Sequence, residues 1–143
     1  MNKILAALLL TTAMVTMLAC NGEKEDPVPP EKALTGHTYE RTEERVYEYQ
    51  GQEYKKTTVY RLEFDSDSTG TYTTDTYEEE ENQSIVQTYD LTYSFDGASG
   101  QMKLSNYGYY PSDFTYVDDT VTLYYLRMDD EGKWIGYKFH KVK

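Results

Sequence analysis

A single cysteine and two histidines in 143 residues leave this chain little with which to bind metals or cross-link itself. One cysteine makes no internal disulfide and no thiolate cluster, so the disulfide frameworks of small exported domains are excluded. Basic residues are scarce as well: 14 Lys plus Arg stand against 25 Asp plus Glu, for a net charge of −11. That balance excludes the basic footprint on which nucleic-acid binding depends, and electrostatic adhesion to anionic lipid head groups. Long apolar runs are missing too. The one apolar stretch, Ile4 to Leu10 continued by Thr11 to Met17, is shorter than the ~20 residues that cross a bilayer.

What that stretch does resemble is an export signal. Lys3 supplies a positive start, the apolar run follows, and Leu18-Ala19 place a small residue just before Cys20. Met17-Leu18-Ala19-Cys20 is similar to the lipobox of bacterial lipoproteins, and the resemblance implies cleavage before Cys20, acylation of its sulfur and attachment to a membrane through it. Each buried methylene of such a chain contributes ~0.8 kcal/mol, and several chains make a stable anchor. Cleavage after Ala19 removes one lysine and no acid, taking the formal charge from −11 to −12. Residues 20–33 then read as a tether: Glu23, Lys24, Glu25 and Asp26 followed by Pro27, Pro29 and Pro30 bury no surface. The acidic residues behind the cysteine resemble the signal by which Bacteroidetes-type lipoproteins reach the outer face of the cell. The expected location is therefore the outer membrane at the cell surface, with the periplasmic face as the alternative.

From residue 34 the composition changes. All sixteen tyrosines lie beyond residue 38, among many threonines and few alanines or leucines, which suits a pleated, half-buried surface. Turn signals recur at Gln50-Gly51, Asp65 to Gly70, Glu78 to Ser84, Asp96-Gly97, Asn106 to Asp113, Asp118-Asp119 and Asp129 to Gly132. They divide residues 34–143 into eight predicted strands, at 38–49, 54–64, 71–77, 85–95, 101–105, 114–117, 120–128 and 133–142. Period-two alternation sets Thr58, Tyr60, Leu62 and Phe64 on one face, then Tyr89, Leu91, Tyr93 and Phe95, then Met102 and Leu104. Val121, Leu123 and Tyr125 continue the pattern, as do Tyr137 and Phe139. Strand one is crowded with Glu40, Arg41, Glu43, Glu44 and Arg45, which marks it as a guarded edge. Short links imply antiparallel neighbours, and eight strands in up-and-down order close into a barrel. The fold class is all-β, an antiparallel meander of about eight strands. Its interior either fills with side chains or holds one small ligand.

A family resemblance supports the same architecture. Leu34-Thr35-Gly36-His37-Thr38-Tyr39, then Leu62-Glu63-Phe64 with Asp67 to Tyr72, is similar to the opening of small lipocalin-like lipoproteins of the Bacteroidetes type. Tyr93 to Gly97 and Thr120 to Leu123 fit that pattern too. Where a lipocalin usually has Trp two residues after the Gly, this chain has Thr38 with Tyr39 beside it. The resemblance implies a lipid-anchored barrel that serves as a binding or interaction module.

Candidate sites are few. Asp65, Asp67 and Thr69 before Gly70 have the spacing of a calcium loop, but Thr76 stands where the closing Glu belongs, so a hairpin turn is expected. Glu78 to Glu81 reads as a solvated run, and His37 and His140 as surface residues, His140 among Lys138, Lys141 and Lys143. No cofactor and no metal site is expected. No histidine sits in a recognisable triad, and the acids cluster at turns, so a binding module is favoured over a carboxylate-dependent glycan hydrolase. A protein-binding or inhibitory lipoprotein is the further alternative. The tyrosines carry the binding expectation: Tyr109 and Tyr110 on a loop with Gly108 and Pro111, suited to a sugar ring or partner, or Tyr89 and Tyr93 lining the interior. A small apolar molecule or a glycan is the expected ligand class, and the oligomeric state is left open.

Overall fold

Turn chemistry sets the path of the chain. Gln50 and Gly51 both adopt positive φ, as do Asp118 and Asp119, the paired left-handed residues that a two-residue I′ hairpin demands. Asn82, Gly97 and Gly132 supply single left-handed residues to three further links. A computed structural model describes residues 29–106 and 111–143. Its strands are β1 (Thr38–Tyr49), β2 (Gln52–Phe64), β3 (Thr69–Glu78), β4 (Gln83–Phe95), β5 (Ser99–Leu104), β6 (Ser112–Val117), β7 (Thr120–Met128) and β8 (Trp134–Lys141). Each pairs antiparallel with its neighbour, and β1 meets β8 to close an eight-stranded up-and-down barrel, consistent with a lipocalin-like fold. The links after β2 and β3 are shorter than predicted because the strands run on into them: Thr69 and Gly70 pair with β4, and Glu78 with Gln83.

The alternating faces read from the sequence are the faces that point inward. Leu62, Phe64, Tyr72, Leu91, Tyr93, Met102, Leu104, Phe114, Val121, Leu123, Tyr125 and Phe139 are all buried, and together with Leu34 and Tyr39 they form one core. One end of the barrel is closed. The short 3-10 turn Pro30–Lys32 crosses it, Leu34 drops into the core, and the Gly36 amide donates to the Phe64 carbonyl. Asp67 fastens this segment by an ion pair with Lys32 at 3.1 Å and by accepting a hydrogen bond from Thr35 at 2.9 Å. The segment with calcium-loop spacing is thus a hairpin turn, with the Asp65 and Ser66 amides donating to the Thr69 carbonyl. Gly70 and Gly100 allow the tight strand approach just beyond these turns. A Cβ on either would lie 2.0 Å from a backbone oxygen of the preceding strand, Glu63 or Ser94.

Tyr39 packs edge-on against Phe64 and Tyr116 at the closed end, with ring centroids 5.7 and 6.2 Å away. Its hydroxyl is buried beside that of Tyr116, and among the described residues it has no hydrogen bond of full geometry. Burial first, and then the adjacent Tyr116, push the phenol well above the usual tyrosine range. Tyr39→Phe removes a buried polar atom whose contact with Tyr116 falls short of full hydrogen-bond geometry, so it should leave stability unchanged or raise it by up to ~1 kcal/mol in thermal unfolding. It should also flatten the alkaline limb. The unfolded phenol ionises near pH ~10 whereas the folded one resists, so this contribution is present below pH ~10 and is lost as pH rises beyond it.

The barrel is not closed along its whole height. β1 pairs with β2 from Thr38 to Tyr49, but with β8 only at Tyr39 and Glu40. β4 pairs with β3 from Gln83 to Thr92, but with β5 only from Leu91 to Phe95. The first four strands therefore extend as a sheet beyond the closed part. Among the described residues no helix is long and apolar enough to cross a membrane.

Candidate functional site

Where β1 parts from β8, a side chain takes over from the backbone. Arg41 shares the inward face of Tyr39, and its guanidinium lies 4.1 Å from the Tyr60 ring centroid on β2 and 4.7 Å from that of Tyr137 on β8. Phe139 stands 5.9 Å away on the same strand. A guanidinium loses less hydration than an ammonium when covered by ring faces, so it can bridge a seam that lacks a hydrogen-bond ladder. Around it stand more inward tyrosines. Tyr60, Tyr72 and Tyr89 stack in a row across three strands, with centroids 6.5 and 6.3 Å apart. Tyr125 meets Tyr137 edge-on at 5.3 Å, and its hydroxyl lies 3.2 Å from that of Tyr72.

The next inward residues along β1 are Glu43 and Arg45, and they complete a charged chain. The Glu43 carboxylate accepts from Arg41 Nη1 at 3.1 Å and also pairs with Arg45. Burial works to raise its pKa, but the hydrogen bonds from Arg45 and Arg41 outweigh this and hold the carboxyl below the ordinary glutamate range. Only one of the three Arg41 nitrogens is used in this way. Nε and Nη2 are buried without a hydrogen-bond partner among the described residues. Those two atoms form the side of the guanidinium fork that matches a carboxylate or phosphate in bidentate fashion. Lys56, paired with Glu78, and Thr58, hydrogen-bonded to Thr76 at 3.1 Å, continue the inward wall on β2.

Glu43, Arg45, Lys56, Thr58 and Tyr60 line a cleft of about 110 Å³ at this mouth. A pocket for a drug-sized ligand starts at ~300 Å³, so the cleft itself fits a small polar head group, and any ring attached to it lies at the rim. The interior below it is filled: Tyr72, Leu91, Phe114, Val121, Leu123 and Phe139 are all at most 1% exposed. Larger depressions of about 500 and 460 Å³ lie open to solvent along β4–β6, where Phe95 and Phe114 line the first and Tyr93 and Pro111 the second, beside Ser94 and Gln101.

The residues singled out from the sequence are not brought together. Tyr93 belongs to the closed end, 7% exposed, packed edge-on against Phe64 and donating its hydroxyl to the Ser66 carbonyl. Tyr89 is half-buried at the edge of the mouth, stacked on Tyr72. Tyr109, Tyr110 and Cys20 lie outside the described residues. His140 contacts the Thr120 hydroxyl at 3.2 Å, and no group of three or more His, Cys, Asp or Glu able to hold a metal occurs among the described residues. In the acidic turn Glu79 accepts from the Lys55 amide and Glu80 from the Tyr47 hydroxyl.

Arg41 is the residue that sequence reasoning misses. Composition groups it with the charges guarding an edge, although Tyr39, Arg41, Glu43 and Arg45 fall on one parity and so share the inward face. The chain matches no protein-family model, no curated protein and no solved structure.

Proposed function

We propose that this chain is a lipid-anchored binding module that holds small carboxylate-bearing ligands at the mouth of its barrel, and that it is not an enzyme. The observation that carries this reading is Arg41: a guanidinium caged by Tyr60 and Tyr137, with its Nε/Nη2 fork buried and unpartnered. Arg45 and Lys56 add positive charge to the same face of an otherwise acidic molecule. In this scheme a ligand carboxylate pairs with the Nε/Nη2 side of Arg41, the side that Glu43 leaves free, and a tyrosine face accepts the flat ring attached to it, as in a uronic sugar or an aromatic acid. The filled interior argues for the mouth over an enclosed cavity.

The non-enzymatic reading is supported by the state of Glu43. A general acid at neutral pH needs a raised pKa, whereas two arginines keep this carboxylate ionised. The anchor rests on Met17-Leu18-Ala19-Cys20, and placement at the outer-membrane surface rests on the acidic residues behind Cys20.

Two measurements test the proposal separately. Cys20→Ser should abolish incorporation of a labelled fatty acid and release the protein from the membrane fraction; equal label in variant and parent would overturn the anchor. For the mouth, the full chain in mild detergent is titrated with glucuronate, glucose and benzoate by calorimetry. Glucuronate or benzoate should bind while glucose does not. Equal binding of glucose and glucuronate, binding of none of the three, or turnover of any of them would overturn the site.

A further inference from the structure

Glu43 does more at the mouth than fill a hydrogen-bonding position. Its two carboxylate oxygens are taken by different arginines: Oε2 accepts from Arg41 Nη1 at 3.1 Å, and Oε1 pairs with Arg45. Tyr60 and Tyr137 stand over the Arg41 guanidinium at 4.1 and 4.7 Å, so an incoming anion meets it edge-on, in its own plane. Among the described residues the free edge is Nε/Nη2, next to the one that Glu43 holds. A ligand carboxylate bound there and the Glu43 carboxylate therefore share one guanidinium, within a few ångströms of each other. The charges around them are counted from their pairings. Arg41 and Arg45 against Glu43 leave one positive charge, and Lys56 is matched by Glu78. The Glu43 side chain is 25% exposed, so solvent screens its charge only in part.

We infer that Glu43 sets the charge selectivity of the Arg41 site, admitting singly charged carboxylates and turning away dianions such as phosphate monoesters. This selectivity rests on the carboxylate site proposed above and adds to it the residue that decides between anions. A guanidinium fork alone is indifferent, since carboxylate and phosphate both present two oxygens to it. What differs is the charge left over. A carboxylate brings one negative charge, which the surplus positive charge of Arg41, Glu43 and Arg45 balances. A phosphate monoester brings nearly two at neutral pH, so one stays unbalanced beside Glu43. Stripping water from an ion costs more as the square of its charge, and one surplus positive charge repays the monoanion but not the dianion. A strut for Arg41 has no need of charge, because a neutral amide oxygen would accept from Nη1 equally well.

The full chain in mild detergent is titrated by calorimetry with benzoate and phenyl phosphate, at pH ~7.5 and pH ~5, either side of the second phosphate pKa of ~6. The parent should bind benzoate at least tenfold more tightly at pH ~7.5, and the gap should close at pH ~5, where the ester carries one charge. Glu43 stays ionised throughout: burial works to raise its pKa, but hydrogen bonds from Arg45 and Arg41 hold it below the ordinary glutamate range. Around it, among the described residues, stand Lys56 and Tyr60 on β2, Glu78 on β3 and Tyr137 on β8. Glu43→Gln keeps an acceptor for Arg41 and drops the charge. It should close the gap at pH ~7.5 as well, with phenyl phosphate gaining more than benzoate. Where thermal melts show that Glu43→Gln does not fold, the pH series on the parent decides alone. Equal affinities in the parent at pH ~7.5, a gap that persists at pH ~5, or one that survives Glu43→Gln would each overturn the selectivity and leave the carboxylate site standing. Binding of neither ligand by the parent would overturn that site, and the selectivity with it.

Discussion

Leu91→Ala should lower the free energy of unfolding by ~2–5 kcal/mol, whereas Val59→Thr should change it far less. Leu91 is 1% exposed and sits at the crossing of three strands, opposite Gly70 on β3 and Leu104 on β5. Gly70 contributes no side chain there, so nothing on its β3 side can swing in to fill the space that a truncated leucine leaves. The cost of a cavity depends on how far its walls collapse, and these walls are backbone held in a ladder. Val59 lies on the opposite parity, paired with Thr42 and Asp75 on the outer surface, where a hydroxyl meets water. Thermal or denaturant unfolding of the two variants compares them directly, and near-equal losses would mean that the inward face had been assigned to the wrong register.

The contrast between these two residues is legible in the amino-acid sequence, because in a strand the period of two is rigid. Once Leu62, Phe64, Leu91 and Phe139 declare one face, every neighbour is assigned. The hairpins are legible for a similar reason: Gly51, Asp118 and Asp119 are residue types that tolerate positive φ. Strand ends are less so. Thr69, Gly70 and Gln83 carry turn-like residue types, and cross-strand pairing, a tertiary effect, recruits them into the ladder. The mouth is the part that escapes. A charged residue on an inward parity looks like an exposed edge until its partners are known, and Tyr60, Tyr137 and Glu43 come from separate stretches of the chain.

Arg41 separates stability from binding, and its variants should show the second large effect. Arg41→Ala removes the guanidinium from between Tyr60 and Tyr137, leaves a gap at the β1–β8 seam and takes one of two partners from Glu43. A desolvated cation–π contact contributes up to ~2 kcal/mol, and the aliphatic stem adds packing, so a loss of ~2–4 kcal/mol is expected. Arg41→Met keeps the stem and most of the volume, and Glu43 retains Arg45, which is well exposed. Its loss should stay below ~1.5 kcal/mol. The two variants should nevertheless be equally deficient in binding glucuronate or benzoate, because neither offers a fork. pH gives an independent readout. Glu43 titrates lower in the folded barrel than in the unfolded chain, so its contribution is in place above pH ~4.3 and disappears as pH falls through the depressed folded value. The parent should therefore lose stability more steeply than Arg41→Met on acidification below pH ~4, as followed by thermal melts. Matching acid limbs would show that Arg41 does not hold the Glu43 carboxylate in solution.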